Sequence, residues 1–84
     1  MARRIRYTKH AIERMIERGI TKEQVEDCIK NPTNITHDKY CNKIFQKLID
    51  HKKLLCVIIK YENNDIKIIT TYKTSKIPKY ISKS

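Results

Sequence analysis

Glycine is nearly absent: Gly19 is the only one in 84 residues. A phosphate-binding P-loop, a G-x-G-x-x-G dinucleotide turn and a nucleophile elbow each need several, so all three are excluded. Tryptophan is missing, and the three cysteines (Cys28, Cys41, Cys56) form no CxxC pair. Their odd number argues against a disulfide framework. Long apolar runs are missing too. The longest, Leu54 to Ile59, is far too short to span a bilayer. The N-terminal MARRIRY lacks the apolar stretch of a signal peptide. These absences predict a cytoplasmic protein without a membrane partner.

Acids are scarce as well, 9 against 19 Lys and Arg, for a formal charge of +10. Most of them (Glu13, Glu17, Glu23, Glu26, Asp27) lie in one stretch. The first nine residues carry Arg3, Arg4, Arg6 and Lys9 and no acid, and residues 66–84 carry five lysines and none. A field concentrated at the two chain ends attracts polyanions. A general enrichment in lysine accounts for part of the excess, but Glu does not rise with Lys. The carboxylates do not cluster outside the helical stretch, and His37 with Cys41 lacks a second ligand pair. No metal and no cofactor are therefore expected.

One domain over residues 1–84 suits this length, with a loose tail from about residue 77. Residues 3–7 alternate basic and apolar, as a short edge strand or extended arm does. Thr8 has the character of an N-cap. Ala11, Ile12, Met15 and Ile16 then recur at helical spacing, and Gly19 follows as the left-handed stop. Thr21 with Gln24 forms a capping box for a second helix, whose inward residues are Val25, Cys28 and Ile29. Asn31-Pro32 ends it.

The second half alternates with period two. Residues 40–49, 54–61 and 66–72 read as strands joined by turns at 50–53 and 62–65, with a shorter strand near 34–37. The expected fold is α+β: two N-terminal helices packed on a three- to four-stranded antiparallel sheet.

Two groups of residues carry candidate chemistry. Lys9 and His10 open the first helix, with Arg14 and Glu17 on the face of His10 and Arg18 at its edge. A neutral imidazole there can accept a proton, and the unpaired N–H groups of a helix start can hold a phosphate. A solvated helix face would look the same. The second group is Thr70-Thr71-Tyr72-Lys73-Thr74-Ser75-Lys76, where hydroxyls and lysines suit phosphate and tyrosine suits an unpaired base. An ordinary strand end also uses Thr and Tyr.

The run YTKHAIERMIERGITKEQVEDCIKNP, followed by an apolar strand pair and ITTY, resembles a domain family of unknown function over about residues 7–73. That family is grouped with the RelE toxins and the colicin D-like endoribonucleases. The resemblance implies a RelE-like or colicin D-like fold with Lys9 and His10 facing Thr70 and Tyr72. Thr and Tyr would stand in for the Ser and Trp of colicin D. Where the colicin D-like site carries a basic residue three positions before the histidine, this chain has Tyr7, and Arg6 is the nearest cation.

The implied activity is metal-independent cleavage of RNA through a 2′,3′-cyclic phosphate. Its catalytic residues would be His10, Lys9, Arg14, Thr70 and Tyr72, with Arg6, Arg18, Lys73 and Lys76 on the RNA backbone. Two other readings keep the same charge: a non-catalytic nucleic-acid-binding module, and a toxin-like partner of an acidic antitoxin-like protein.

Overall fold

The structure is a computed structural model that describes residues 4–40, 42–49 and 53–76. The expected tail from residue 77, Cys41 and the turn residues 50–52 lie outside the described residues. The chain runs β1 (Arg4–Tyr7), α1 (Lys9–Arg18), α2 (Lys22–Lys30), β2 (Asn34–His37), β3 (Lys43–Leu48), β4 (Leu54–Glu62) and β5 (Asp65–Thr74).

Local chemistry sets the helix ends. Thr8 is extended, and its hydroxyl accepts from the Ala11 N–H at 3.1 Å, capping α1. Gly19 ends that helix at φ 67°, sending its N–H back to the last turn. Thr21 and Gln24 form the reciprocal capping box of α2 at 3.0 and 3.1 Å. The 62–65 turn uses Asn63 at φ 54°, a conformation asparagine tolerates better than most residues.

The sheet corrects the expected fold. It has five strands in the order β1-β5-β4-β3-β2 and is mixed, whereas a three- to four-stranded antiparallel sheet was expected. Strands β2 to β5 form the antiparallel meander, but β1 pairs with β5 in parallel. Four alternating residues carry no mark of direction. Here direction follows from what comes next, because Thr8 must deliver the chain to the start of α1 above β5. The Thr8 N–H extends the parallel ladder to the Ile68 carbonyl at 3.3 Å.

The β4 strand is central and apolar on both faces. Leu55, Val57 and Ile59 face the helices and join Ala11, Met15, Val25, Cys28, Phe45, Ile66 and Ile68 in the main core. Leu54 and Cys56 face the other way, with Ile44 and Leu48. Helix α1 packs on β5, and α2 packs on β3 and β4. The stripe of α1 is narrower than its periodicity suggests. Ala11 and Met15 are buried, while Ile12 is 41% and Ile16 76% exposed.

Two features of β5 shape the site. Its register against β4 slips, since Ile58 faces Thr70 while Ile59 faces Ile68, leaving Ile69 as the extra residue of a bulge. Even-numbered Ile66 and Ile68 face the helices before the bulge, and odd-numbered Thr71 and Lys73 share that face after it. In addition, β1 pairs only with residues Asp65 to Ile68. The last turns of β5 thus keep an edge free of strand pairing among the described residues, beside α1.

Gly19 offers a direct test of the helix stop. A Cβ there would meet nothing within 4 Å, so only backbone strain opposes a side chain. Gly19→Ala is expected to cost about 1 kcal/mol, and Gly19→Asn less. Thermal unfolding should show the alanine variant melting roughly 4–8 °C lower. An unchanged midpoint would remove the strain argument.

Candidate functional site

Thr8 joins the two halves of the candidate site. Its hydroxyl donates to the carbonyls of Ile68 and Ile69, at 2.8 and 3.1 Å, while accepting from Ala11. The start of α1 is thereby fastened to the β5 bulge. His10 follows the cap by two residues and Thr70 follows the bulge by one, so the fastening brings the two candidate groups side by side.

They line one cleft of about 400 Å³. His10, Arg14 and Arg18, four residues apart on α1, form one wall. Residues Thr70 to Thr74 of β5 form the other. The lining holds three permanent cations and no carboxylate. Glu17, expected on the His10 face, instead turns back to accept from Arg14 Nη1 at 3.2 Å. That pair is exposed and worth about 0–1 kcal/mol, so Arg14 can exchange it for a phosphate. Arg18 and Lys73 form no ion pair among the described residues.

Tyr72 stands opposite Cys56 across β5 and β4, on the face away from the helices. Burial, followed by its hydrogen bond and proximity to Cys56, pushes the phenol up to about 12. It therefore keeps its proton near neutrality and serves as a donor or a stacking surface. It cannot act as a base there.

Other expected site residues lie elsewhere. Lys9 is exposed and does not line the cleft, because adjacent helical residues point about 100° apart. Arg6 lies on β1, 3.8 Å from Asp65, and lines a separate small depression with Glu62 and Lys67. Lys76 is exposed beyond the end of β5 and also stays outside the cleft.

Thr71 stands within the second candidate group of the sequence but has no role of its own there. It lines the cleft, is fully buried, and its Oγ1 has no hydrogen-bond partner among the described residues. The bulge turns it toward the helices, and no Gly or Pro in IITTYKT marks a bulge. Among the described residues no group of three or more His, Cys, Asp or Glu could hold a metal ion.

The family model described as "Domain of unknown function (DUF4258)" matches residues 7–73. The chain belongs to that family. No curated protein and no solved structure matches it. The DUF4258 match begins one residue before the Thr8 cap and ends at Lys73. It takes in every cleft residue but Thr74. No helix of the described DUF4258 domain is long and apolar enough to cross a membrane.

Thr8→Ala should therefore destabilise the DUF4258 domain more than a surface substitution does, by ~1–2 kcal/mol for the cap alone. Denaturant titration reads the shift. A loss below the few tenths typical of exposed positions would show that the cap and bulge are held by other contacts.

Proposed function

We propose that this domain is a metal-independent endoribonuclease that cleaves RNA at the α1–β5 cleft. The observation that carries the proposal is one titratable imidazole, His10, sharing a carboxylate-free cleft with Arg14, Arg18, Lys73 and a row of hydroxyls. A polyanionic backbone suits that lining, and RNA brings its own nucleophile.

In the reaction the 2′-hydroxyl oxygen attacks the adjacent phosphorus and its proton passes to a base. The P–O5′ bond breaks, and the departing 5′-oxygen takes a proton. The products are a 2′,3′-cyclic phosphate and a free 5′-hydroxyl. His10 serves as the base or the acid of this exchange. Arg14, Arg18 and Lys73 offset charge on the phosphorane, the task a metal performs in carboxylate-rich sites. Thr70 and the protonated Tyr72 orient the phosphate, and Thr71 offers an unpartnered hydroxyl to it.

A relationship to the RelE and colicin D-like nucleases is part of this proposal. It is supported by His10, Thr70 and Tyr72 lining one cleft, while Lys9 departs from the pattern. The function carries over through the site residues, and no RelE-like sheet is implied.

Incubation with RNA in EDTA tests the reading. The expected result is fragments ending in cyclic phosphate, with His10→Ala losing ~10²- to 10⁴-fold in rate while its circular dichroism is unchanged. His10 is exposed, so the fold does not need it. Equal cleavage by both proteins removes His10 from the chemistry, and intact but retarded RNA favours the non-catalytic binding module.

Thr71→Val has effects of opposite sign. Removing a buried hydroxyl without a partner should raise stability by ~1 kcal/mol, while weakening RNA binding at the cleft. A variant that is less stable, or that binds RNA as the parent does, would contradict the role given to Thr71.

A further inference from the structure

His10 lines two depressions at once. The second, about 540 Å³, shares only His10 with the cleft and is otherwise lined by Thr8, Tyr40, Asn42, Lys60, Lys67 and Ile69. His10 is thus the one side chain that both depressions have in common.

The chemistry of the second depression differs from that of the first. Lys60 and Lys67 are direct register partners on β4 and β5. Like charges placed opposite each other destabilise a strand pair unless an anion lies between them. Glu62 answers only Lys67, at 3.7 Å, and Lys60 has no ion pair among the described residues. Tyr40 presents an aromatic ring that is 72% exposed.

One carboxylate binds the backbone of Tyr40 and of Asn42. Asp38 Oδ1 accepts from the Tyr40 and Asn42 N–H groups at 2.8 and 3.0 Å, and Asp38 Oδ2 accepts from Asn42 Nδ2 at 3.1 Å. The Asp38 N–H closes the loop onto the Asn42 carbonyl at 3.0 Å. An exposed aromatic whose backbone N–H is held by Asp38, beside two lysines that are register partners, has the parts of a stacking platform with a backbone clamp.

We infer that this depression is the subsite for a nucleotide neighbouring the scissile one. The substrate is then single-stranded RNA running past His10 from one depression to the other, with a base on Tyr40 and a phosphate between Lys60 and Lys67. Paired bases have no face free for Tyr40, so duplex RNA is excluded from the subsite. This inference rests on the ribonuclease reading of the cleft and extends it to substrate class.

The test uses the full chain and a single-stranded octanucleotide with 2′-O-methyl riboses, which lacks the nucleophile and stays intact. Fluorescence anisotropy should show Tyr40→Ala binding about tenfold more weakly, with Tyr40→Phe restoring most of the loss, since the ring and not the hydroxyl stacks. Lys60→Ala should lower the slope of log K against log salt by roughly one contact. A dinucleotide, too short to occupy both depressions, should bind all three variants as it binds the parent.

Octanucleotide affinity unchanged in both Tyr40→Ala and Lys60→Ala overturns the subsite. The cleft reading survives that result if RNA cleavage still depends on His10. A parent protein that binds no RNA overturns both. Equal or tighter binding of duplex overturns the single-strand assignment.

Discussion

A single hydroxyl holds the arrangement together. Thr8 Oγ1 caps α1 and bonds both carbonyls at the β5 bulge, and the backbone of the same residue closes the parallel ladder of β1. Helix start, bulge and edge strand meet at one residue. A helix start leaves N–H groups without partners, and a bulge leaves carbonyls displaced from the ladder. Thr8 answers both needs. Because so few bonds separate Thr8 from His10 and Ile69 from Thr70, the backbones that carry the imidazole and the strand hydroxyls are held side by side.

The mixed sheet makes room for the site. Had β1 matched β5 over its whole length, the edge from Thr70 to Thr74 would lie under another strand. β1 instead stops at Tyr7, opposite Ile68, and the chain turns up into α1. The cleft is the space between a helix that has just begun and a strand that outruns its neighbour. The exposure of Ile12 and Ile16 has the same origin, since α1 packs on β5 near the sheet edge. Only the inner half of its apolar stripe finds a partner there.

What could be read from the sequence was whatever acts over three or four residues. The Thr8 cap, the Gly19 stop, the Thr21–Gln24 box and the Asn63 turn each declare themselves within one turn of chain, and each stands where it was expected. The direction of β1 depends on pairing with a strand some sixty residues away, and the bulge at Ile69 on the register of β5 against β4; RIRY and IITTYKT carry no local mark of either. The site divides in the same way. His10, Thr70 and Tyr72 could be chosen by residue type, and the structure brings them to one cleft. Neither charge nor a family resemblance says where a side chain points, so the expected grouping of Lys9, Arg6 and Lys76 joins residues that do not line the cleft. Thr71 carries no assigned role in the sequence because its burial depends on the bulge.

The charge distribution bears on why such a site persists in so small a domain. Several acids are engaged away from the cleft: Asp27 with Lys47, Asp65 with Arg6, Glu62 with Lys67, and Glu26 accepting from the Tyr7 hydroxyl. Around His10 the pattern reverses, with Arg18, Lys73 and Lys60 outside any ion pair among the described residues. Thr71 adds a buried hydroxyl where valine would fill the same space without an unpaired donor. Folding alone favours neither feature, and a domain of this size has little stability to set against them. Local choices that work against the fold and gather at one place point to a site kept for a ligand. Here the uncompensated groups are cations and a hydroxyl, which is why the function proposed above gives the cleft a polyanionic backbone.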